Sequence, residues 1–159
     1  MANIIRIKPH HFIDIIRDIG GGQTEFEPHP YGHAVHTVAA RIIRNPNILL
    51  RMELGADDIC GPCEHNVNGI CDDTIDTSHR PQAPSSKREW NLLIDRRWCK
   101  RLRLEKNDTL TAIEFCERLR DQAGDISDIY PENPPEQTRD RARKLKAGIA
   151  VFLSQAPRP

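Results

Sequence analysis

The residues best equipped for chemistry are three cysteines in the segment ADDICGPCEHNVNGICDD. Cys60, Cys63 and Cys71 follow the spacing Cys-x2-Cys-x7-Cys. Two thiolates that close in sequence reach one metal from a tight turn, and Gly61-Pro62 supplies the turn chemistry. Gly69 lets the chain bend back before Cys71. Sulfur is a soft donor, so the trio selects zinc or an iron–sulfur cluster over magnesium or calcium. A thioredoxin-type redox pair is the poorer reading, because no strand leads into the motif and no helix clearly starts from it. Spacing alone does not choose the metal. A structural zinc site usually carries a second ligand pair, which is missing here: His65 stands too close to Cys63, and Asn68 occupies the usual knuckle position. Bacterial ferredoxin runs place their third cysteine sooner.

Several residues are candidates for a fourth ligand. Cys99 lies in REWNLLIDRRWCKRLRL and Cys116 in TLTAIEFCERL, both on amphipathic helical patterns. Both read first as small buried hydrophobes, and Cys99 is the better ligand of the two because its helix follows the cysteine loop closely. Asp14, His10 and His11 come from the N-terminal half. His10 and Asp14 are four apart and share a helix face. Five of the seven histidines lie between positions 10 and 36. Among them His33 and His36, three apart, form a possible second site for a mononuclear metal bound by histidines and a carboxylate. Acidic residues Asp57, Asp58, Asp72 and Asp73 flank the cysteine motif. Negative charge beside a thiolate-bound cluster disfavours adding an electron, so this collar implies a low potential, and it would suit a basic docking partner.

These residues must be held by a mainly helical α+β domain of about five helices, two short strands and a metal-binding cysteine loop. Ile5 and Ile7 alternate with polar residues in a first strand. Pro9 starts a helix that runs to about Ile19 and stops at Gly20-Gly21-Gly22. A second helix spans about residues 32–44 and ends at Asn45-Pro46, and residues 48–54 form a second strand. Helices follow at about 88–103 and 111–123, the latter opened by a Thr111/Glu114 capping box. A last helix is capped by Asn133 with Pro134 at its first position, Glu136 in its first turn, and one apolar face including Leu145, Ile149 and Phe152. Residues 1–155 read as one domain, with 77–87 (TSHRPQAPSSK) as an exposed Pro/Ser-rich loop and 156–159 as a frayed tail.

Composition bounds the function. The chain has 159 residues, with 23 Lys plus Arg against 23 Asp plus Glu. Zero net charge argues against a nucleic-acid-coating role. The basic runs around Arg96–Arg103 and Arg139–Lys146 read as solvated helix faces, because they lack aromatic interleaving for base stacking. No apolar run approaches the roughly 20 residues of a membrane span. The start, MANIIRIKP, lacks the pattern of a secretory signal, so the expected compartment is the cytoplasm, where thiols stay reduced. An odd number of cysteines agrees with metal binding rather than disulfides. There is no phosphate-binding glycine loop and no nucleophile elbow.

Three segments together, KPHHFIDIIRDIGGG, ADDICGPCEHNVNGIC and LIDRRWCKRLRLEKNDTLTAIEFCERL, resemble an uncharacterised bacterial and archaeal family of small iron–sulfur binding proteins. The resemblance implies that Cys60, Cys63 and Cys71 belong to a cluster-binding motif. Two departures stand out. Many members have a cysteine where this chain has Asp14, and many carry a second cysteine-rich segment where this chain reads DISDIYPENPPE. A carboxylate in place of a thiolate would leave one iron exchangeable or open.

The leading expectation is thus a cytoplasmic iron–sulfur protein serving redox, sensing or cluster-supported small-molecule chemistry with an unidentified redox or protein partner. Two alternatives stand beside it: a zinc-stabilised interaction module without redox chemistry, and a mononuclear metal enzyme built on the N-terminal His/Asp cluster. The residues leave open whether the protein is an enzyme.

Overall fold

A computed structural model describes residues 3–155, so the tail expected to fray at 156–159 lies outside the described residues. The fold is α+β and mainly helical, with five helices among the described residues. The first strand, β1 (Ile4–Ile7), buries Ile5 and Ile7. It leads directly into α1 (Pro9–Gly20), where Pro9 fits the first turn because its missing N–H would have no intrahelical partner. Next come α2 (Val35–Arg44) and β2 (Leu49–Met52). The two expected strands do pair. They run parallel in register, Ile5 opposite Leu50 and Ile7 opposite Met52, with all four side chains buried.

A third strand, absent from the sequence reading, completes the sheet. It follows, in the chain, a two-stranded hairpin of β3 (Asn66–Val67) and β4 (Ile70–Cys71). Then come α3 (Lys87–Leu102), β5 (Thr109–Thr111), α4 (Ala112–Gln122) and α5 (Pro135–Gln155). The three-residue β5 runs antiparallel to β2, giving the order β1-β2-β5. Such a short segment shows no measurable alternation, so only its pairing reveals it.

Several boundaries follow local chemistry. The Thr111/Glu114 capping box is formed in both directions at the start of α4. Ser86 caps α3 by accepting from the Glu89 N–H at 3.2 Å. Asn133 does not cap α5. The Pro134 carbonyl accepts from Gln137 and Thr138, so the helix begins one residue later with Pro135 in its first turn. The 77–87 segment is less free than its composition implies. A bridge between Thr74 and Ser86 ties its base, Ala83 is buried, and the Arg80 guanidinium sits 5.2 Å from the Trp90 ring centre.

The core lies between the sheet and helices α1, α3, α4 and α5. Phe12 stacks at 4.4 Å on Phe115 and meets Phe152 edge-on at 6.3 Å. Trp98 is fully buried and donates from Nε1 to the Tyr130 hydroxyl at 2.9 Å. A buried indole or phenol needs such a partner, and here each supplies the other's. Cys116 is fully buried, and Cys99 packs against the core from its edge.

The most extensive helix contact is α1 against α5. It depends on two glycines. A Cβ on Gly20 would overlap the Lys144 carbonyl, and one on Gly148 would overlap the Ile16 carbonyl. The backbones therefore touch where no side chain fits. Replacing a helical glycine by alanine normally stabilises a helix by about 1 kcal/mol. At this crossing the sign reverses, because the helices must separate. Gly148→Ala is expected to lower the unfolding free energy by about 2 kcal/mol in a urea titration; a stabilised variant would contradict the close crossing.

Candidate metal centre

The cysteine loop is built by backbone turns around one carboxylate. Asp57 is buried at the junction of β1, α1 and the loop. Its Oδ1 accepts from the N–H groups of Ile59 at 3.1 Å and Cys60 at 3.0 Å. Its Oδ2 accepts from the Lys8 N–H at 2.7 Å and lies 2.7 Å from His11 Nδ1. The neighbouring Asp58 exchanges hydrogen bonds with the Arg6 backbone, continuing the attachment to β1. The turn at Gly61-Pro62 then closes with the Cys63 N–H donating to the Cys60 carbonyl at 2.9 Å. Asn68 and Gly69 both adopt positive φ, 53° and 84°, which is the conformation a two-residue hairpin turn requires. That hairpin pairs Asn66 with Cys71 and so returns the third cysteine towards the first two.

Cys60, Cys63 and Cys71 line one cavity of about 320 Å³, together with His11, Asp14 and His33. The cysteine loop and part of the histidine cluster thus meet in space. The loop before α2 carries His33 there, tied to the cysteine loop by the Ala34 N–H donating to Ile59 and the Glu64 N–H donating to Tyr31. Among the described residues, His11, Asp57 and Cys60 form the one close-set group of potential ligand atoms, all within 4.8 Å of one another. Cys63 and Cys71 are not part of that group.

The fourth-ligand candidates separate clearly. His10 is buried, with its Nδ1 at 2.9 Å from both carboxylate oxygens of Asp95, whose Oδ1 also accepts the His10 N–H at 2.8 Å. Asp95 reaches across from α3 to cap the first turn of α1, which has no local side-chain cap. Burial pushes the His10 imidazole down, but the charge and hydrogen bond of Asp95 outweigh it and its pKa is raised. Cys99 does not line the cavity, and burial pushes its thiol up to about 11. Asp14 does line it, but Arg141 at 2.7 Å and Arg17 at 3.3 Å already hold one of its oxygens. Burial alone would raise the Asp14 pKa, yet the positive charges of Arg141 and Arg17 lower it below its ordinary value. It is an ion-pair clamp between α1 and α5.

His11 differs from all of these. Its Nδ1 is committed to Asp57, and its Nε2 has no hydrogen-bond partner among the described residues. Each Asp57 oxygen already has two partners, so the carboxylate orients the imidazole rather than offering a free ligand atom. A carboxylate on one ring nitrogen, leaving the other for a metal, is the usual support of a metal-bound histidine. Burial and then the Asp57 charge push the Cys60 thiol up to about 11, so positive charge is what this corner would favour.

The expected His33/His36 pair is not one site. The helix starts at Val35, after His33, so the three-residue spacing does not place both on one face. His33 faces the cysteine cavity and stacks at 4.1 Å on His29, whereas His36 borders a separate groove with residues 24–27. Each has a buried Nδ1 without a partner among the described residues. Burial, then the positive charges of His29, His11 and Lys87, lower the His33 pKa. The acid collar is also less bare than expected. Besides Asp57 and Asp58, Asp72 lies 2.8 Å from His65 and Asp73 lies 3.2 Å from Lys87.

Asp57 and Asp95 are the residues that sequence reasoning undervalued. Asp57 has a local sign, since it precedes two acceptable N–H donors in a turn, but its contacts with Lys8 and His11 span more than forty residues. No helix among the described residues is long and apolar enough to cross a membrane. Compared with known protein families, curated proteins and solved structures, the chain matches none.

Asp14 provides a test of its clamp role. Its lowered pKa means that its contribution is complete above the ordinary value of 3.8 and fades as pH falls through the folded value. Asp14→Asn is expected to lower stability by about 1 kcal/mol near neutral pH. In urea titrations the gap from wild type should narrow in acid; a gap that widens there would contradict the clamp.

Proposed function

We propose that the protein binds an iron–sulfur cluster through Cys60, Cys63, Cys71 and His11. The observation that carries this reading is the convergence of three thiols and one carboxylate-oriented imidazole on a single cavity. The donor set is soft and has the right number of ligands for a cluster with mixed thiolate and imidazole ligation. It also explains why the chain tolerates Asp14 where the family it resembles often has cysteine: His11, one helical turn away, supplies the donor.

Cluster ligation is preferred over zinc on spacing. A tetrahedral zinc at about 2.3 Å from each sulfur would bring the sulfurs to about 3.8 Å from one another. The three cysteines do not form such a close-set group, whereas a cluster of several irons spreads its thiolates wider. The cavity beside the cysteines gives a small molecule access to the centre, which favours cluster-supported small-molecule chemistry over long-range electron transfer alone. When bound, the group would supply an electron reservoir or an open iron. The chain's own residues do the rest: Asp57 sets the imidazole, the hairpin sets Cys71, and the Asp14 clamp fixes the opposite wall.

Anaerobic purification followed by iron, zinc and acid-labile sulfide analysis tests this. Iron with sulfide and a broad visible absorption is expected. Cys60→Ser, Cys63→Ser, Cys71→Ser and His11→Ala should each lower the bound iron at least several-fold. Cys99→Ser and Asp14→Asn should retain it. Zinc without sulfide, or full iron in His11→Ala, would overturn the assignment.

A further inference from the structure

The cavity contains one group that metal ligation leaves unexplained. Lys8 buries its stem and is only 5% exposed, while its ammonium stays open to the cavity and makes no hydrogen bond and no ion pair among the described residues. It borders the cysteine cavity and none of the other cavities described. Its positive charge reaches the Cys60 thiol. A lysine that buries its stem and turns an unpartnered ammonium into a cavity is placed to meet an anion there.

The chain's own carboxylates do not fill that role. Asp57 is taken up by His11 and three backbone N–H groups. Asp14 is held by Arg17 and Arg141, and Asp18 by Arg17. From α3 the same cavity is lined by Asn91, whose amide makes no hydrogen bond among the described residues, and by the exposed, unpaired Arg88. The lining also includes the aliphatic Ile15, Val35 and Leu92.

We propose that this cavity binds a small organic carboxylate beside the cysteine centre. Lys8 meets the carboxylate, Asn91 adds a hydrogen bond, and the aliphatic wall takes a short branched body. The Lys8 ammonium and the Asn91 amide suit one carboxylate, while the exposed Arg88 is left to solvent. A phosphate, more heavily hydrated and more charged, is poorly matched to a lining that includes Ile15, Val35 and Leu92. The inference rests on the cavity being the working site, as proposed above, but the contacts to the carboxylate need no metal.

The test is calorimetric titration of the purified protein, its iron content measured in parallel, with 3-methylbutanoate, its neutral amide and inorganic phosphate. The acid is expected to bind at least about tenfold more tightly than either comparison compound. Lys8→Met should lose about tenfold in affinity for the acid and keep the affinity for the amide. Equal binding of acid and amide, tighter binding of phosphate, or unchanged acid binding in Lys8→Met would each overturn the proposal. So would wild-type protein that binds no acid while Lys8→Met loses iron, which would make Lys8 a counter-charge to the centre. If anaerobic purification gives zinc without sulfide but the protein still binds the acid in this way, the cluster assignment fails and the carboxylate site stands.

Discussion

Asp57 is a charge with almost no access to water, and the arrangement of the cavity follows from how that charge is satisfied. An isolated carboxylate in such a place would be prohibitively unstable. Here four donors converge on it from three parts of the chain: the β1–α1 junction through Lys8, helix α1 through His11, and the cysteine loop through Ile59 and Cys60. Burial would raise its pKa, but the His11 charge and these hydrogen bonds hold it well below the usual carboxylate range. One side chain therefore sets the entry angle of α1, the orientation of an imidazole and the start of the cysteine turn. None of these can shift without stripping a donor from a buried charge.

Asp95 repeats the device in the core. It lies on α3 but terminates α1, taking the place of the capping side chain that α1 lacks. The two acids grip adjacent histidines from opposite sides, and the His10 and His11 rings lie 4.4 Å apart. That division of labour explains why two neighbouring histidines have different prospects. His10 is consumed by structure, and His11 keeps a ring nitrogen for the cavity.

Much of the fold was legible in the sequence because its signals are local. Pro9, the Thr111/Glu114 box and Asn45-Pro46 mark helix ends through contacts within a few residues. The alternation of Ile5 and Ile7 marks a strand for the same reason. The cysteine loop was legible through its turn residues, Gly61-Pro62 and Gly69. What escaped was set by distant partners. β5 exists because β2 is beside it, and the Pro134/Pro135 choice at α5 turns on a single carbonyl. Asp14, His10 and His11 were equivalent as letters. Arg141, Asp95 and Asp57 separate them, and each of these contacts crosses more than forty residues. Lys8 carried no sequence signal at all, because its burial depends on every wall of the cavity at once.

The close crossing of α1 and α5 also sets an order of events during synthesis. Asp14 and Arg141 are separated by 127 positions, and Gly20 meets its partner backbone at Lys144 and Gly148. A growing chain exposes α1 and the cysteine hairpin to solvent long before α5 leaves the ribosome. Contacts that far apart in the chain close late, after local helices and turns have formed. Until then α1 lacks the helix that packs against it. The last helix thus acts as a closing step: α1, which carries His11 and Asp14 to the cavity, gains its fixed packing only once α5 has formed.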